Sequence, residues 1–298
     1  MIHLLTGENT FEIERRLAEI IAGFDGDVER VDGSELVSEQ LPDLLAGVTL
    51  FSSKRLVVIK NASANKTVWT TLSDWLEKDI DNDLVFVEPK PDKRTKTYKL
   101  LEKHADVFVA KDLQFSDAVS WVGGEAKKRA LELSSDTIRF FVDYVGVDQW
   151  RLSTELDKLA LAGKPINKEL IRELVEPTPQ ATSFELLDTA FAGRHDEVKQ
   201  LLNTVARQED PYMFFGLLAG QVYALALAKT AGTTSLDTVA KTAGIHPFVL
   251  KKVGNLARNL DLPDVKRIVA KLAELDVNLK SRPVEPWIQI QVFLLSLI

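Results

Sequence analysis

The sequence predicts an α/β domain built on a parallel sheet, followed by two all-α blocks. The first third alternates short, β-branched apolar runs with amphipathic segments, and from Phe115 onward only helical periodicity remains. Alternation of strand and helix is typical of a parallel sheet flanked by helices. Pro177 and Pro179 divide the helical part into two blocks, because prolines so closely spaced interrupt any helix.

The predicted elements of the first third follow from local patterns. Leu56–Ile59 is short and continuously apolar, which is typical of a strand buried on both faces. Thr6–Asn9 supplies the turn and the N-cap that open the first helix. The predicted strands are Ile2–Leu5, Val28–Val31, Leu56–Ile59, Leu84–Val87 and Val107–Val109, and the predicted helices are Phe11–Ala22, Ser38–Ala46, Thr67–Leu76 and Thr97–His104.

The two later blocks are predicted to be entirely helical. Ser134 is positioned to cap a helix that Gly146 ends, and Thr182–Glu185 has the spacing of a capping box, so we expect the first helix of the third block to begin at Ser183. The predicted helices are Ala118–Leu131, Asp136–Val145, Gln149–Leu161, Lys168–Val175, Ser183–Ala192, Glu197–Arg207, Pro211–Lys229, Ser235–Ala243, Pro247–Asn259, Pro263–Lys280 and Trp287–Ile298.

Composition narrows the class of protein. The 298 residues suffice for two domains or three small ones, and they include no cysteine, which excludes disulfides and thiolate metal sites. A net charge of −7 argues against a nucleic-acid-binding surface over the whole chain but permits local basic patches. No apolar run is predicted to reach membrane-spanning length, since candidates such as residues 292–298 are short. Met1–Leu5 begins a strand with no basic region before it, so we expect a cytoplasmic protein without a signal peptide.

A strand, a glycine turn and a helix at the N-terminus suggest a nucleotide site, but the required residues are missing. A phosphate loop needs the pattern Gly-x-x-x-x-Gly-Lys-Ser/Thr. Thr6–Phe11 offers one glycine and no lysine, and Glu8 would repel phosphate. The third strand ends in Lys60 and Asn61, where an ATPase would place carboxylates for Mg²⁺. We therefore expect no ATP hydrolysis and no cofactor.

Other catalytic constellations are equally absent from the sequence. The residues Asp79, Asp81 and Asp83 lie in a predicted loop, and a solvated turn explains them better than an acid–base pair does. The histidines are too far apart to suggest a metal site; they are His3, His104, His195 and His246. Nothing in the sequence requires catalysis.

The most informative feature is the adjacent apolar pair Leu50 and Phe51. It lies between Gly47 and Ser52, ahead of the third strand, where a loop or a helix end is expected. An exposed apolar pair on a loop usually marks a binding site for a partner. The alternative is a hydrophobic plug tucked beneath the sheet. The residues by themselves leave both readings open.

A basic run after the fourth strand, Lys90–Lys99, contains Lys93 and Arg94. Such a run is either a phosphate-contacting patch or a solvated loop that leads into a helix. Its residues fit both, and the solvated loop is the simpler explanation.

The segment Leu236–Val253 has the spacing of a DNA-reading helix-turn-helix, with Gly244 in the turn. Its second helix would present Lys251 and Lys252 to the major groove. A helical pair inside a bundle uses the same glycine turn, and the acidic chain favours packing over DNA reading. A DNA-binding regulator that uses residues 236–259 nevertheless stays as the alternative function.

Taken together, several short motifs resemble the delta subunit of the bacterial DNA polymerase III clamp loader. Each motif is short, but their order and spacing extend over essentially the whole chain. They are Leu5–Glu8 with Phe11, Leu50–Val58, Val145–Asp148, Leu152 with Glu155–Leu159, Ser183–Asp188, His246–Phe248 and Asp276–Lys280.

The resemblance implies a fold and a role. Residues 1–113 would form a degenerate AAA+-like module that does not bind ATP, residues 114–178 a helical lid, and residues 179–298 a helical collar. The collar would join gamma/tau and delta-prime subunits in a hetero-pentamer within the DNA-directed DNA polymerase holoenzyme. No intrinsic enzymatic activity and no membrane partner would be expected.

In that family the N-terminal module inserts a Leu-Phe pair into an apolar pocket of the beta sliding clamp and helps to open the ring. This role would fall to Leu50 and Phe51 and favours the partner-binding reading. Primer-template DNA would be a further partner of the complex. Lys93, Arg94, Lys251 and Lys252 are the candidate DNA contacts.

Overall fold

A computed structural model describes residues 1–47, 54–78, 80 and 82–297. The chain divides into two compact units, Met1–Gln114 with Asp148–Trp150, and Phe115–Val147 with Arg151–Ile298. Unit 1 combines a parallel sheet with helices, and unit 2 is helical throughout its described residues. The predicted fold class, an α/β domain followed by all-α structure, is confirmed. The further division into a lid and a collar stays a prediction.

Unit 1 is organised around a parallel sheet with the strand order β2-β3-β4-β1-β5 among the described residues. All predicted strands are confirmed, with slightly longer bounds. They are β1 Ile2–Gly7, β2 Asp27–Asp32, β3 Arg55–Lys60, β4 Asp83–Glu88 and β5 Asp106–Ala110. The helices of this unit are α1 Thr10–Ala22, α2 Leu41–Ala46, α3 Lys66–Trp75 and α4 Lys96–His104, with short 3-10 turns at Ser38–Gln40 and Ala62–Ala64.

The interior strand β3, between β2 and β4, is buried on both faces, as its apolar run predicts. Leu56 and Val58 pack in one apolar cluster with α1, and Val57 and Ile59 pack in a second cluster with α2, α3 and α4. Alternate residues of a strand point to opposite faces, so helices on both sides of the sheet are needed to bury this run.

Unit 2 is a succession of helices, of which those from residue 179 onward share one large apolar core. They are α5 Phe115–Lys128, α6 Ser135–Val145, α7 Gln149–Leu161, α8 Lys168–Leu174, α9 Pro179–Phe191, α10 His195–Val205, α11 Pro211–Thr230, α12 Leu236–Ala243, α13 Pro247–Arg258, α14 Leu262–Ser281 and α15 Pro286–Leu295. The first two residues of α7 belong to unit 1. Ser134 caps α6 and Gly146 ends it with a positive φ of 92°, as predicted.

The predicted start of α9 at Ser183 was wrong. The helix begins at Pro179, and its N-cap is Thr178, whose side chain accepts a hydrogen bond from the Ala181 N–H at 3.2 Å. Thr182 and Ser183 are buried inside the helix and cannot form a capping box. Proline suits the first helical position because its ring presets φ and the helix does not need its missing N–H.

The prediction that no segment reaches membrane-spanning length was also wrong. Helix α11 has 20 residues and a mean hydropathy of 1.4, so by length and composition it is long and apolar enough to cross a membrane. The core helix of a water-soluble protein passes the same test. Phe214, Leu218 and Val222 of α11 lie in the apolar core of unit 2, and a helix that is apolar on all sides is expected at such a centre.

Candidate functional site

The turn between β1 and α1, where a phosphate loop would bind its nucleotide, is occupied by side chains of the chain itself. Asn9 caps α1 by accepting a hydrogen bond from the Glu12 N–H at 3.1 Å. Its amide also donates to Gln149 Oε1 at 2.5 Å, and Gln149 Nε2 donates to Glu12 Oε1 at 2.7 Å. Gln149, which belongs to unit 1, is 3% exposed. The first turn of α1 is thus closed by a buried polar network.

An aromatic contact covers the same turn. Trp150 Nε1 donates to Thr10 Oγ1 at 3.0 Å, and its ring meets Phe11 edge to face with centroids 4.9 Å apart. Gly7 has a positive φ of 119°, and a side chain there would collide with the backbone of Ala110 on β5. This glycine serves close packing within the sheet, which differs from the phosphate-cradling role of a loop glycine.

The carboxyl end of β4 contributes a buried acid to the same edge of the sheet. Glu88 is 1% exposed; its Oε2 accepts from the Ser63 N–H at 3.2 Å, and its Oε1 has no hydrogen-bond partner among the described residues. Burial raises the pKa of Glu88, because a charged carboxylate loses its hydration there. Lys60, at the end of β3, pairs with Glu14 at 2.6 Å. Lys60 and one oxygen of Glu88 therefore bind groups within the chain.

At the opposite, amino-terminal edge of the sheet lie Gly47, which follows α2, and Arg55, which begins β3. Leu50 and Phe51 lie outside the described residues, but the residues that flank residues 48–53 are described. Asn82, which is 7% exposed, donates its Nδ2 to the carbonyl oxygens of Leu44 at 3.1 Å and Gly47 at 3.0 Å. A buried amide therefore fixes the point where the chain leaves α2.

Arg55, the first residue of β3, holds the same point from the other end of the segment. Its Nη1 donates to the carbonyl oxygens of Asp43 at 2.8 Å and Gly47 at 3.4 Å. Its remaining nitrogens pair with the Glu29 carboxylate, and its side chain is 10% exposed. A side chain on Gly47 would collide with Asp43, so glycine is required for this close approach.

The first pair of predicted DNA contacts lies on the surface of unit 1. Arg94 forms an ion pair with Asp92 at 2.8 Å while its side chain stays 91% exposed. The hydrogen bonds from Arg94 lower the pKa of Asp92 to about 2. The Lys93 ammonium lies 5.9 Å from the centre of the Tyr98 ring. Their proposed contact with DNA stays a prediction.

The second pair lies on α13 in unit 2. Lys251 pairs with Asp237 at 2.8 Å. Lys252 pairs with Asp143 at 2.7 Å, and its ammonium lies 4.3 Å from the centre of the Phe184 ring. The opposite face of α13 is buried in the core through Leu250, Val253 and Ala257. These contacts tie α13 to α6, α9 and α12 and favour the packing interpretation of this segment.

Sequence reasoning missed three residues of this arrangement. Asn82 lies in a loop for which the sequence predicts a solvated turn, and Arg55 enters the sequence argument only as part of the Leu50–Val58 motif. Gln149 lies 140 positions from its partner Asn9. For Asn82 and Arg55 a usable signal existed, because each stands next to the start of a buried strand; no local signal pointed to Gln149.

Fold and site define a class of protein: a parallel α/β module of the nucleotide-hydrolase type that lacks a phosphate loop, joined to an all-helical unit. The family model described as "DNA polymerase III, delta subunit" matches residues 3–111. The model described as "DNA polymerase III delta subunit, C-terminal domain" matches residues 180–297. Together the two models span most of the chain, which therefore belongs to the DNA polymerase III delta subunit family, and the resemblance is confirmed.

Individual relatives are distant. The DNA polymerase III subunit delta of Bacillus subtilis (strain 168) is 23% identical over 215 residues, which is 70% of this chain and 62% of that protein. The match thus spans less than two thirds of the length of this curated relative. The solved Bacillus subtilis DNA clamp loader delta protein (YqeN) is 20% identical, with a TM-score of 0.59 over 99% of this chain and 94% of that one, so the two share a fold. A Thermotoga maritima RuvB variant gives a TM-score of 0.43 at 11% identity over 86% of this chain and 78% of that one, too low to add to the fold argument.

Proposed function

We propose that this chain is a non-catalytic clamp-loader subunit that binds the sliding clamp through Leu50 and Phe51 and favours its open ring during loading onto primed DNA. Family membership supports the role. The observation that supports the proposal is at the amino-terminal edge of the sheet, where Arg55 and Asn82 both donate hydrogen bonds to the carbonyl of Gly47, three positions before Leu50. Buried polar side chains that fix the backbone next to residues 48–53 are expected where those residues must contact a partner.

The energetics of this contact are sufficient. Burying two large apolar side chains contributes roughly 3–6 kcal/mol before the costs of association. A partner that binds the open state of the clamp more tightly than the closed state shifts the equilibrium of the ring. No chemical step in this chain is needed for that shift.

Nucleotide binding is assigned to other subunits of the loader. Asn9, Gln149 and Trp150 fill the turn that would hold phosphate, and the sequence lacks the phosphate-loop lysine. ATP binding by gamma/tau neighbours would then control when this degenerate AAA+-like module engages the clamp in the cytoplasm.

Assembly with gamma/tau and delta-prime subunits is assigned to the helical unit, with residues 114–178 as the lid and residues 179–298 as the collar. Helix α15 carries apolar residues on all sides. Ile290 and Phe293 are buried in the core, whereas Ile288 and Val292 on the other face are 54% and 62% exposed. An apolar outer face is typical of a helix that a second protein covers.

The decisive experiment replaces both residues of the pair in the full-length chain. Leu50→Ala with Phe51→Ala is expected to weaken binding to the cognate sliding clamp by more than about 100-fold, since central apolar anchors dominate interface energies. Surface plasmon resonance with immobilised clamp measures the affinity, and thermal unfolding of the same samples measures stability.

A matched control is Val37→Ala, which removes an apolar side chain that is 52% exposed in the same unit. It is expected to leave both clamp affinity and thermal stability unchanged. If the double variant unfolds while each single variant binds the clamp normally, the pair is a core plug and the proposal is wrong.

A further inference from the structure

We infer that Lys252 is a positioning residue that locks helix α6 to helices α9 and α13, so that residues 114–178 and residues 179–298 move as one body. The consequence for clamp loading rests on the proposed function, whereas the lock itself is a property of unit 2. The inference gives Lys252 a role other than the predicted contact with DNA. Its support is the set of contacts that one side chain makes with two other helices.

Lys252 lies on α13 and reaches both α6 and α9. Its Nζ donates to the two carboxylate oxygens of Asp143 on α6, at 2.9 and 2.7 Å. The same ammonium lies 4.3 Å from the centre of the Phe184 ring on α9, and Phe184 is 1% exposed. The paired side chains are only 23% and 29% exposed. Charge-assisted hydrogen bonds of this kind are stronger than neutral ones, and salt screens partly buried pairs less than exposed ones.

The charges around Lys252 are unbalanced, which makes its own charge decisive. Asp143 belongs to α6, whereas Glu185 and Asp188 belong to α9. Partial burial raises the pKa of Asp188, and the charges of Lys252 and Arg194 oppose this rise. The carboxylates of Asp143 and Glu185 add to it. Because like charges repel more strongly where water is partly excluded, loss of the Lys252 charge would leave α6 and α9 with carboxylates that repel one another.

The C-terminal end of α6 is also bonded to the start of α9. Thr178, the N-cap of α9, donates its N–H to the Tyr144 carbonyl oxygen at 2.9 Å. Asp143 and Tyr144 are consecutive, so the same turn of α6 is held by α9 and by α13. A Lys252 cation is favourable there, because the last turn of a helix carries partial negative charge. Two bonds from different elements restrict the rotation of α6 about either one.

The two lysines of α13 differ in how accessible the side chain is to a phosphate. Lys251 is 59% exposed, and its ion pair with Asp237 joins α13 to α12. Lys252 is 23% exposed and must break both bonds to Asp143 before it can reach DNA. Lys251 therefore offers a matched control, with the same residue type, the same helix and an ion pair of its own.

The lock has a consequence for loading under the proposed function. The module that binds the clamp comprises residues 1–113, residues 179–298 join the neighbouring subunits, and residues 114–178 connect the two along the chain. A conformational change in the neighbours then reaches the clamp-binding module through the junction of α6 with α9 and α13. A loose junction would absorb part of that change, so clamp binding would persist while ring opening and loading slow.

The test uses full-length Lys252→Met, which keeps the length and the apolar stem of the side chain and removes its charge. We expect amide hydrogen exchange in α6 to quicken about tenfold, measured by mass spectrometry on peptides that cover residues 135–145. Affinity for the immobilised cognate clamp should stay within about twofold, since distant sites act independently. The rate of clamp loading by the reconstituted loader should fall about fivefold.

Three further variants separate the lock from a loss of packing. Lys251→Met should change none of the three measurements, because its ion pair is exposed. Lys252→Arg keeps the charge and should retain most of the exchange protection and of the loading rate. Asp143→Asn removes the partner charge. In that background Lys252→Met should quicken exchange in α6 by less than about twofold, since residues that act through one contact are not additive.

The outcomes are separable. Unchanged exchange in α6 of Lys252→Met would overturn the lock, as would equal quickening throughout unit 2, which indicates general destabilisation. Quickened exchange with unchanged loading would overturn the role in loading. A weaker salt dependence of DNA binding by the loader, with unchanged exchange in α6, would assign Lys252 to DNA instead. If Leu50→Ala with Phe51→Ala binds the clamp normally, the proposed function fails, and exchange in α6 still decides whether Lys252 locks the junction.

Discussion

The two edges of the sheet in unit 1 use the same kind of residue for opposite purposes. At the carboxyl edge, the buried amides of Asn9 and Gln149 bond to each other and close the first turn of α1. At the amino edge, the buried amide of Asn82 bonds to backbone carbonyls that flank residues 48–53. The Asn9–Gln149 network occupies the turn where a nucleotide would bind. The Asn82 hydrogen bonds fix the backbone at Gly47, next to the residues that we propose to contact a partner.

This difference bears on how the fold is used. Ligands of open α/β sheets usually bind at the carboxyl ends of the strands. In this chain Asn9, Gln149 and Lys60 at that edge are engaged in internal contacts, and the proposed binding segment precedes β3 in the sequence. Under the proposed function, a sheet of the nucleotide-hydrolase type supports a protein contact.

The largest effect expected at the closed edge comes from Gln149→Ala. This change removes two hydrogen bonds, one from the buried Asn9 amide and one to Glu12 Oε1, so the free energy of unfolding should fall by about 2–3 kcal/mol. Urea unfolding measures the loss. Gln208→Ala is the control, since its hydrogen bond to Glu176 is exposed and its removal should change stability by less than about 0.5 kcal/mol.

An ATP titration of the same samples completes this test. Neither the unmodified chain nor Gln149→Ala is expected to bind ATP, because removing a plug does not supply the missing lysine and glycines. Saturable binding of micromolar ATP by the unmodified chain would break the comparison, since the carboxyl edge would then be an open site.

A smaller and pH-dependent effect is expected from Glu88→Gln. Burial raises the pKa of Glu88, so this group penalises the folded state only when it is ionised. The stability associated with the neutral Glu88 carboxyl is fully present below the pKa that this group has in the unfolded chain. It is lost as the pH rises through the higher pKa of Glu88 in the folded chain. The variant should therefore be more stable than the unmodified chain at pH 8 by about 1 kcal/mol, and the difference should vanish at low pH.

Urea unfolding at several pH values measures this difference. Glu8→Gln, on an exposed side chain of the same edge, should change stability by less than about 0.5 kcal/mol at each pH. A gain from Glu88→Gln that does not depend on pH would show that ionisation of the buried carboxyl is not its cause.

The smallest effect on stability is expected from a change on the exposed face of α15 in unit 2, which we propose to be covered by a partner subunit. Val292→Ser on the exposed face should change stability by less than about 0.5 kcal/mol but weaken assembly with partner loader subunits by about tenfold. Its neighbour Phe293 is 4% exposed, and Phe293→Ala should cost about 3–5 kcal/mol. Unfolding and co-elution with partner subunits measure the two effects. Unchanged assembly with Val292→Ser would remove this face from the proposed interface.

Much of the fold was predictable because its signals are local. The run Leu56–Ile59 predicted a doubly buried strand, and Asn9, Ser134 and Gly146 predicted helix ends that the structure confirms. The true start of α9 also has a local signal, because Thr178 followed by Pro179 is typical of a helix N-terminus and lies ahead of the apparent capping box.

The candidate site was predictable only in part. The adjacent apolar pair and the missing phosphate-loop lysine are visible in one short stretch each. Asn82 and Arg55 each stand next to the start of a predicted strand, but the burial of Asn82 was not predictable, because a loop such as residues 79–83 looks solvated until the neighbouring helix end is known. Asn82 is buried by Leu44 and Gly47, which come from a different part of the chain.

From its sequence alone, this chain is determined to be a sheet module without a phosphate loop, followed by helices, since periodicity, caps and motif residues act over a few positions. Only the tertiary structure decided which polar side chains leave water: Gln149 against Asn9, and Asn82 against the end of α2. Burial of a polar group depends on partners brought from distant positions, and hydrogen bonds to those partners offset its lost hydration.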